Sequence, residues 1–261
     1  MLLPFSSHCQ PVLLVSDNPC AIDFRKNDLP ILLIGPYVSQ AGQHPGEFAA
    51  SITSHVQMQY LLFTPEGYEQ AEGKICPLIV YLHGGSRRGE NIERLREPGY
   101  GLPAMVEKNK SFPFIVLSPL CPEGEYWTDT EAVIALLDEV MNKYAVDASR
   151  VYLTGHSMGG FGTWYLAYKH PEKFAAIAPM SAPMVITRWA SRLKEMPIWA
   201  FHGEKDELVP VSDTQDLVHA LTALGNDVRL TILPNRDHYI LDAYENQELY
   251  SWFLQHERGA K

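Results

Sequence analysis

The chain has 261 residues, 46% of them hydrophobic and 20% charged, which is enough to bury a large core in one or two domains. Against 21 Lys and Arg stand 31 Asp and Glu, so the net charge is -10; that balance excludes nucleic acid as a natural partner and disfavours anionic lipid surfaces. No apolar run approaches the ~18 residues of a membrane span, so no stable membrane insertion is expected.

The first residues, MLLPFSSHCQPVLLV, have no Lys or Arg before Arg25, and Pro4, Ser6, Ser7 and Pro11 break their apolar content. This is not the form of a secretory signal, and a cytoplasmic protein is expected. Cys9, Cys20, Cys76 and Cys121 are scattered, without metal-binding spacing, and read as reduced structural thiols. Residues 1–56 are expected to form an N-terminal extension able to supply edge strands packed on the core, Ile31 to Ile34 among them, and residues 57–261 to form the main domain. Tyr60 to Phe63 is a further edge strand.

From Leu78 onward, short apolar runs alternate with amphipathic stretches. Leu78 to His83, Phe114 to Leu117, Val151 to Thr154, Phe174 to Pro179, Ile198 to His202 and Val228 to Leu233 are continuous enough for strands buried on both faces. Between them, Val133, Leu136, Leu137, Val140, Met141 and Tyr144 share one helical face. Thr128-Asp129-Thr130-Glu131 has the capping-box form, with Thr128 as acceptor, and Ser212-Asp213-Thr214-Gln215 repeats it before a helix stopped by Gly225. The alternation predicts an α/β fold with a mainly parallel central sheet and helices on both faces. Only eighteen residues run from Met180 to Pro197, both included, so that connection has room for one helix and no large cap domain.

Gly155-His156-Ser157-Met158-Gly159 fits G-x-S-x-G between the Val151 strand and a helix over Met158 to Tyr168. A serine in such a strand-to-helix bend is an exposed nucleophile, and it needs a base because its hydroxyl is nearly un-ionised at neutral pH. Of ten histidines, five follow Ser157. Among these His238 lies in a loop after a parallel strand, where sites of α/β proteins gather, and is the candidate base. The acid belongs on the loop after the preceding strand; Asp206 is the candidate there, with Glu204 and Glu207 as competitors and Asp237 badly placed beside His238. The oxyanion donors are expected from the amides of Met158 and Gly85, the latter in His83-Gly84-Gly85-Ser86 after the Leu78 strand. Ser86, Trp127 and His156 are candidate substrate contacts, Trp127 being equally suited to packing; His83 is expected to brace its loop.

With these residues the chain resembles the α/β-hydrolase serine esterases, in the phospholipase/carboxylesterase and dienelactone-hydrolase-like branch that includes predicted peptidases and feruloyl-esterase-like members. The likeness runs over 62–68 (LFTPEGY), 77–91 (PLIVYLHGGSRRGEN), 149–164 (SRVYLTGHSMGGFGTW), 197–211 (PIWAFHGEKDELVPV) and the DHY around His238. It implies a Ser157–His238–Asp206 triad, no cofactor, no metal, and a small-molecule ester as substrate. Arg87, where an acidic residue is common, and Asp237, where a small one often stands, depart from that pattern. A peptidase of the same fold and an idle hydrolase-fold binding protein are the alternatives.

Overall fold

The computed structural model describes residues 55–68 and 75–259. The expected N-terminal extension, with Ile31 to Ile34, Cys9 and Cys20, lies outside them apart from His55 and Val56.

Seven strands form one sheet: β1 (Tyr60–Phe63), β2 (Cys76–Leu82), β3 (Ile115–Pro119), β4 (Val146–His156), β5 (Ala176–Met180), β6 (Trp199–Gly203) and β7 (Arg229–Leu233). Their spatial order is β1-β3-β2-β4-β5-β6-β7. Only β1 runs antiparallel, with Tyr60 opposite Pro119; every other pairing is parallel. The helices are α1 (Leu102–Lys108), α2 (Thr130–Lys143), α3 (Met158–Lys169), α4 (Ala190–Leu193), α5 (Val211–Ala223) and α6 (Gln247–Phe253). Among the described residues no helix is long and apolar enough to cross a membrane.

Strand β2 shows why the apolar runs are unbroken. Leu78, Val80 and Leu82 belong to a core shared with α2, α3 and α5, while Ile79 and Tyr81 belong to the opposite core with α1 and α6. With a side-chain period of two and helices on both faces, every position must be apolar. On α2 the expected face is the buried one, through Val133, Leu136, Leu137 and Val140. The connection from β5 to β6 holds a 3-10 turn, Thr187–Trp189, and the single turn of α4, and no cap domain.

Two capping expectations are corrected. The N-cap of α2 is Asp129, not Thr128; its carboxylate accepts from the Ala132 amide at 3.1 Å. Both residues can cap, and a one-residue shift of the helix start decides between them. Helix α5 begins at Val211 with Pro210 as its N-cap and no side-chain cap, so Ser212, the expected cap, lies inside the first turn. Strand β4 also begins at Val146, earlier than expected, with an irregular register between Cys76 and Leu78 of β2.

Candidate active site

Ser157 sits between β4 and α3 with φ 57° and ψ −119°, a left-handed conformation that non-glycine residues rarely adopt. Its amide donates to Met180 O at 2.9 Å, which fixes the bend. The flanking glycines are steric requirements. A Cβ on Gly159 would fall 1.8 Å from Leu82 O, and one on Gly155 2.4 Å from Gly159 O. Any side chain at either position would drive the helix off the sheet.

The loops after β6 and β7 meet this bend. The Oγ of Ser157 lies 2.8 Å from His238 Nε2, and His238 Nδ1 lies 2.7 Å from Asp206 Oδ2. Asp206 Oδ1 accepts from the Leu208 and Val209 amides at 3.0 and 2.8 Å. Burial alone would raise the Asp206 carboxyl; the Val209 amide, the His238 bond and the Leu208 amide outweigh it and hold the group below the usual carboxylate range. The competing carboxylates are engaged elsewhere or exposed. Glu204 accepts from the Asn235 amide at 2.8 Å, Asp237 from the Tyr239 amide at 3.0 Å, and Glu207 is exposed. Gly203 lets the two loops touch, since a Cβ there would lie 2.0 Å from Asp237 O. His156 Nε2 donates to the carbonyl of His238 at 2.7 Å; burial pushes its ring down to about 4, so it stays neutral beside the triad.

The loop after β2 approaches from the other side. Gly85 opens a 3-10 turn and Met158 opens α3, so neither amide has a carbonyl one turn earlier within its own helix. His83 Nε2 accepts from the Cys121 amide at 3.0 Å, which leaves Nδ1 protonated and donating to Gly84 O at 2.8 Å. In a trans peptide the carbonyl and amide point opposite ways, so holding Gly84 O against the buried His83 ring turns the Gly85 N–H away from that ring. Arg88 Nε donates to Gly85 O at 3.2 Å and Arg94 Nη2 to Ser86 O at 2.9 Å. Arg87 is buried, paired with Glu97 at 2.8 Å, and stacks 3.1 Å from the Tyr100 ring centre.

Residues 123–251 match the family model described as Phospholipase/Carboxylesterase. A bifunctional acetylxylan esterase/xylanase of Neocallimastix patriciarum is 30% identical over 48% of this chain and 18% of its own length. A probable feruloyl esterase C of Aspergillus terreus is 29% identical over 59% of this chain and 56% of its own. A solved thermostable esterase superposes with TM-score 0.68 and 30% identity over 78% of this chain and 60% of that one. The chain has the α/β-hydrolase fold, which it shares with these esterases. It spans less than two thirds of the length of each of these three proteins.

On this fold the Ser157–His238 pair opens onto a cavity of about 180 Å³ lined by Gly84, Gly85, Ser86, His156 and Leu208 among others. Ser86, Tyr100, Tyr239 and Leu241 also line a cleft of about 860 Å³. Ser86 thus lines both spaces, and His156 only the smaller one. Trp127 lines neither: it is 3% exposed, its Nε1 donates to His83 O at 2.9 Å, and its Cβ packs where a side chain on Gly162 would sit. An indole whose N–H is spent on a buried carbonyl braces the loop rather than the substrate. Sequence reasoning did not single out Tyr100 or Tyr239; the only signal for Tyr239 is its place directly after His238.

Proposed function

We propose that the protein is a serine carboxylic-ester hydrolase acting through an acyl-enzyme. The observation that carries this reading is the relay from Ser157 Oγ through His238 to Asp206, at 2.8 and 2.7 Å. Ser157 attacks the ester carbonyl while His238 Nε2 takes its proton. The oxyanion forms where the Gly85 and Met158 amides converge; a Cβ on Gly85 would stand 3.9 Å from Met158 Cβ. His238 then protonates the departing alkoxide, and water repeats the cycle on the acyl-enzyme. Asp206 keeps Nδ1 protonated and stabilises the imidazolium without taking the proton.

The leaving oxygen must come within reach of His238 Nε2, so the alcohol half lies on the His238 side. Tyr239 and Leu241, just beyond His238, line the larger cleft. Its charged groups balance, Lys108 and Arg236 against Asp242 and Glu245, and Asn109 and Gln247 add hydrogen-bonding amides. This chemistry suits a bulky, uncharged, hydroxyl-rich alcohol better than a fatty chain. The relatives named as acetylxylan and feruloyl esterases point the same way.

Ser157→Ala is expected to lower kcat on p-nitrophenyl acetate about 10⁴-fold. A fluorophosphonate probe should label Ser157 in the parent. Near-normal turnover in the variant rules the mechanism out. With the acyl group held as acetyl, kcat/KM should rise at least about tenfold from an ethyl to a glycosyl ester; equal values would remove the assignment of the cleft.

A further inference from the structure

We propose that His202 is a positioning residue for the triad acid, a second histidine that, backed by Thr214, sets the Asp206 carboxylate against His238. The proposal rests on the ester-hydrolase reading above.

His202 lies in β6 and is fully buried. Its Nε2 is 3.1 Å from Val209 O, and a carbonyl only accepts, so Nε2 carries the proton. Nδ1 is therefore an acceptor, and the buried Thr214 hydroxyl of α5 donates to it at 2.9 Å. Both ring nitrogens are thus fixed in one tautomer. The same Nε2 stands 3.2 Å from Asp206 Oδ2, the oxygen that receives His238 Nδ1–H. His202 therefore acts on Asp206 in two ways. It presents its positive N–H edge to Oδ2, and it anchors Val209, whose own amide bonds Oδ1 at 2.8 Å.

The physical need is clear. The Asp206 side chain has no exposed surface, and no Lys or Arg pairs with it among the described residues. A buried carboxylate without a cation must be held by N–H groups. Two amides serve Oδ1, and His238 and His202 flank Oδ2. Without His202, Oδ2 keeps one partner and the 206–209 turn loses its tie to β6, so the carboxylate can rotate off His238. Burial pushes the His202 ring below its ordinary range, so it works as a neutral donor and does not compete for the proton. A line of contacts thereby runs from Ser157 through His238, Asp206 and His202 to Thr214 on α5.

A histidine that merely fills space would predict different kinetics. With a fluorogenic acetate ester, His202→Phe is expected to lower kcat about 10- to 100-fold with KM within about threefold. His202→Gln, whose amide nitrogen can reach the Nε2 position, should recover most of that loss. Thr214→Val should show a smaller loss with the same split. In an Asp206→Asn background, His202→Phe should change kcat less than about twofold, because its effect runs through the carboxylate. Folded His202→Phe with parental kcat, or an equal loss in the Asp206→Asn background, would overturn the proposal. Should His202→Phe fail to fold, His202→Gln and Thr214→Val decide in the same two backgrounds: a loss confined to the parent supports the role, and equal losses overturn it. A parent without Ser157-dependent turnover would overturn the hydrolase reading and this role together. Ser157-dependent turnover with indifferent His202 and Thr214 variants overturns this role alone.

Discussion

The bend at Ser157 and the loop from His83 to Arg88 follow adjacent strands, β4 and β2, and each opens a helical turn whose first amide is proposed as an oxyanion donor. The bend is held by shape. Gly155 and Gly159 touch backbone at distances no side chain could share, and the strained Ser157 is locked by one amide bond to β5. The loop is held by polar side chains. His83, Arg88 and Arg94 grip the carbonyls of Gly84, Gly85 and Ser86, and Trp127 grips that of His83. Two amides proposed for one task therefore depend on different physics. The first should fail only when packing fails, and the second should answer to single polar changes.

The largest expected effect tests the shape-held side. In Gly159→Ala the new Cβ would overlap Leu82 O, a backbone atom that cannot step aside without breaking β2. A loss of about 3 kcal/mol or more is expected, read as little soluble protein or a steep fall in thermal midpoint. A variant with parental stability would show that the bend has slack. Next comes His83→Phe on the polar side. It strips the Gly84 carbonyl of its side-chain donor and leaves the Cys121 amide without its acceptor, freeing the Gly85 peptide to rotate. A fall in kcat of about 100-fold is expected, comparable to losing one oxyanion donor, with the protein still folded. Unchanged kcat would mean that the loop, too, is set by shape.

The same division explains what the sequence disclosed. The inner strands announce themselves because burial on two faces admits only apolar residues; β7, expected to be buried on both faces, lies at the sheet edge, half-buried and with Arg229 exposed. The nucleophile bend does so because steric need writes glycines at fixed spacing around Ser157. The strand-end loops that carry Asp206 and His238 follow from topology, and the structure brings those three side chains together. Polar partnerships are another matter. Asp129 and Thr128 are equally competent caps, so their choice depends on where the helix happens to start. Ser212 looks like a cap until the helix starts ahead of it, and nothing near Thr214 in sequence shows that β6 places His202 against it. Trp127 shows in sequence only that it sits near the site; that its N–H is spent on His83 depends on two chain segments 44 residues apart. Tyr100 meets the cleft through stacking on Arg87, which no local pattern encodes.

The smallest effect concerns a histidine on each side. Burial pushes His83 and His156 from 6.5 down to about 4, and for His83 the nearby Arg88, Arg87 and Arg94 add to it. In both, the unfolded chain binds a proton between about pH 6.5 and 4 that the folded chain refuses. Their stabilising contribution is thus full above about 6.5, falls as the pH drops, and is exhausted near 4. Each histidine makes unfolding easier by up to about 1.4 kcal/mol per pH unit, a factor of ten. Urea unfolding at pH 7, 6 and 5 should show this slope. The depressed Asp206 adds loss of the same sign at lower pH. His83→Gln should remove the share belonging to the loop and leave that of His156 at the bend. If the slope does not change in His83→Gln, protonation does not reach the loop, and the polar side of the comparison is more sheltered than its bonds imply.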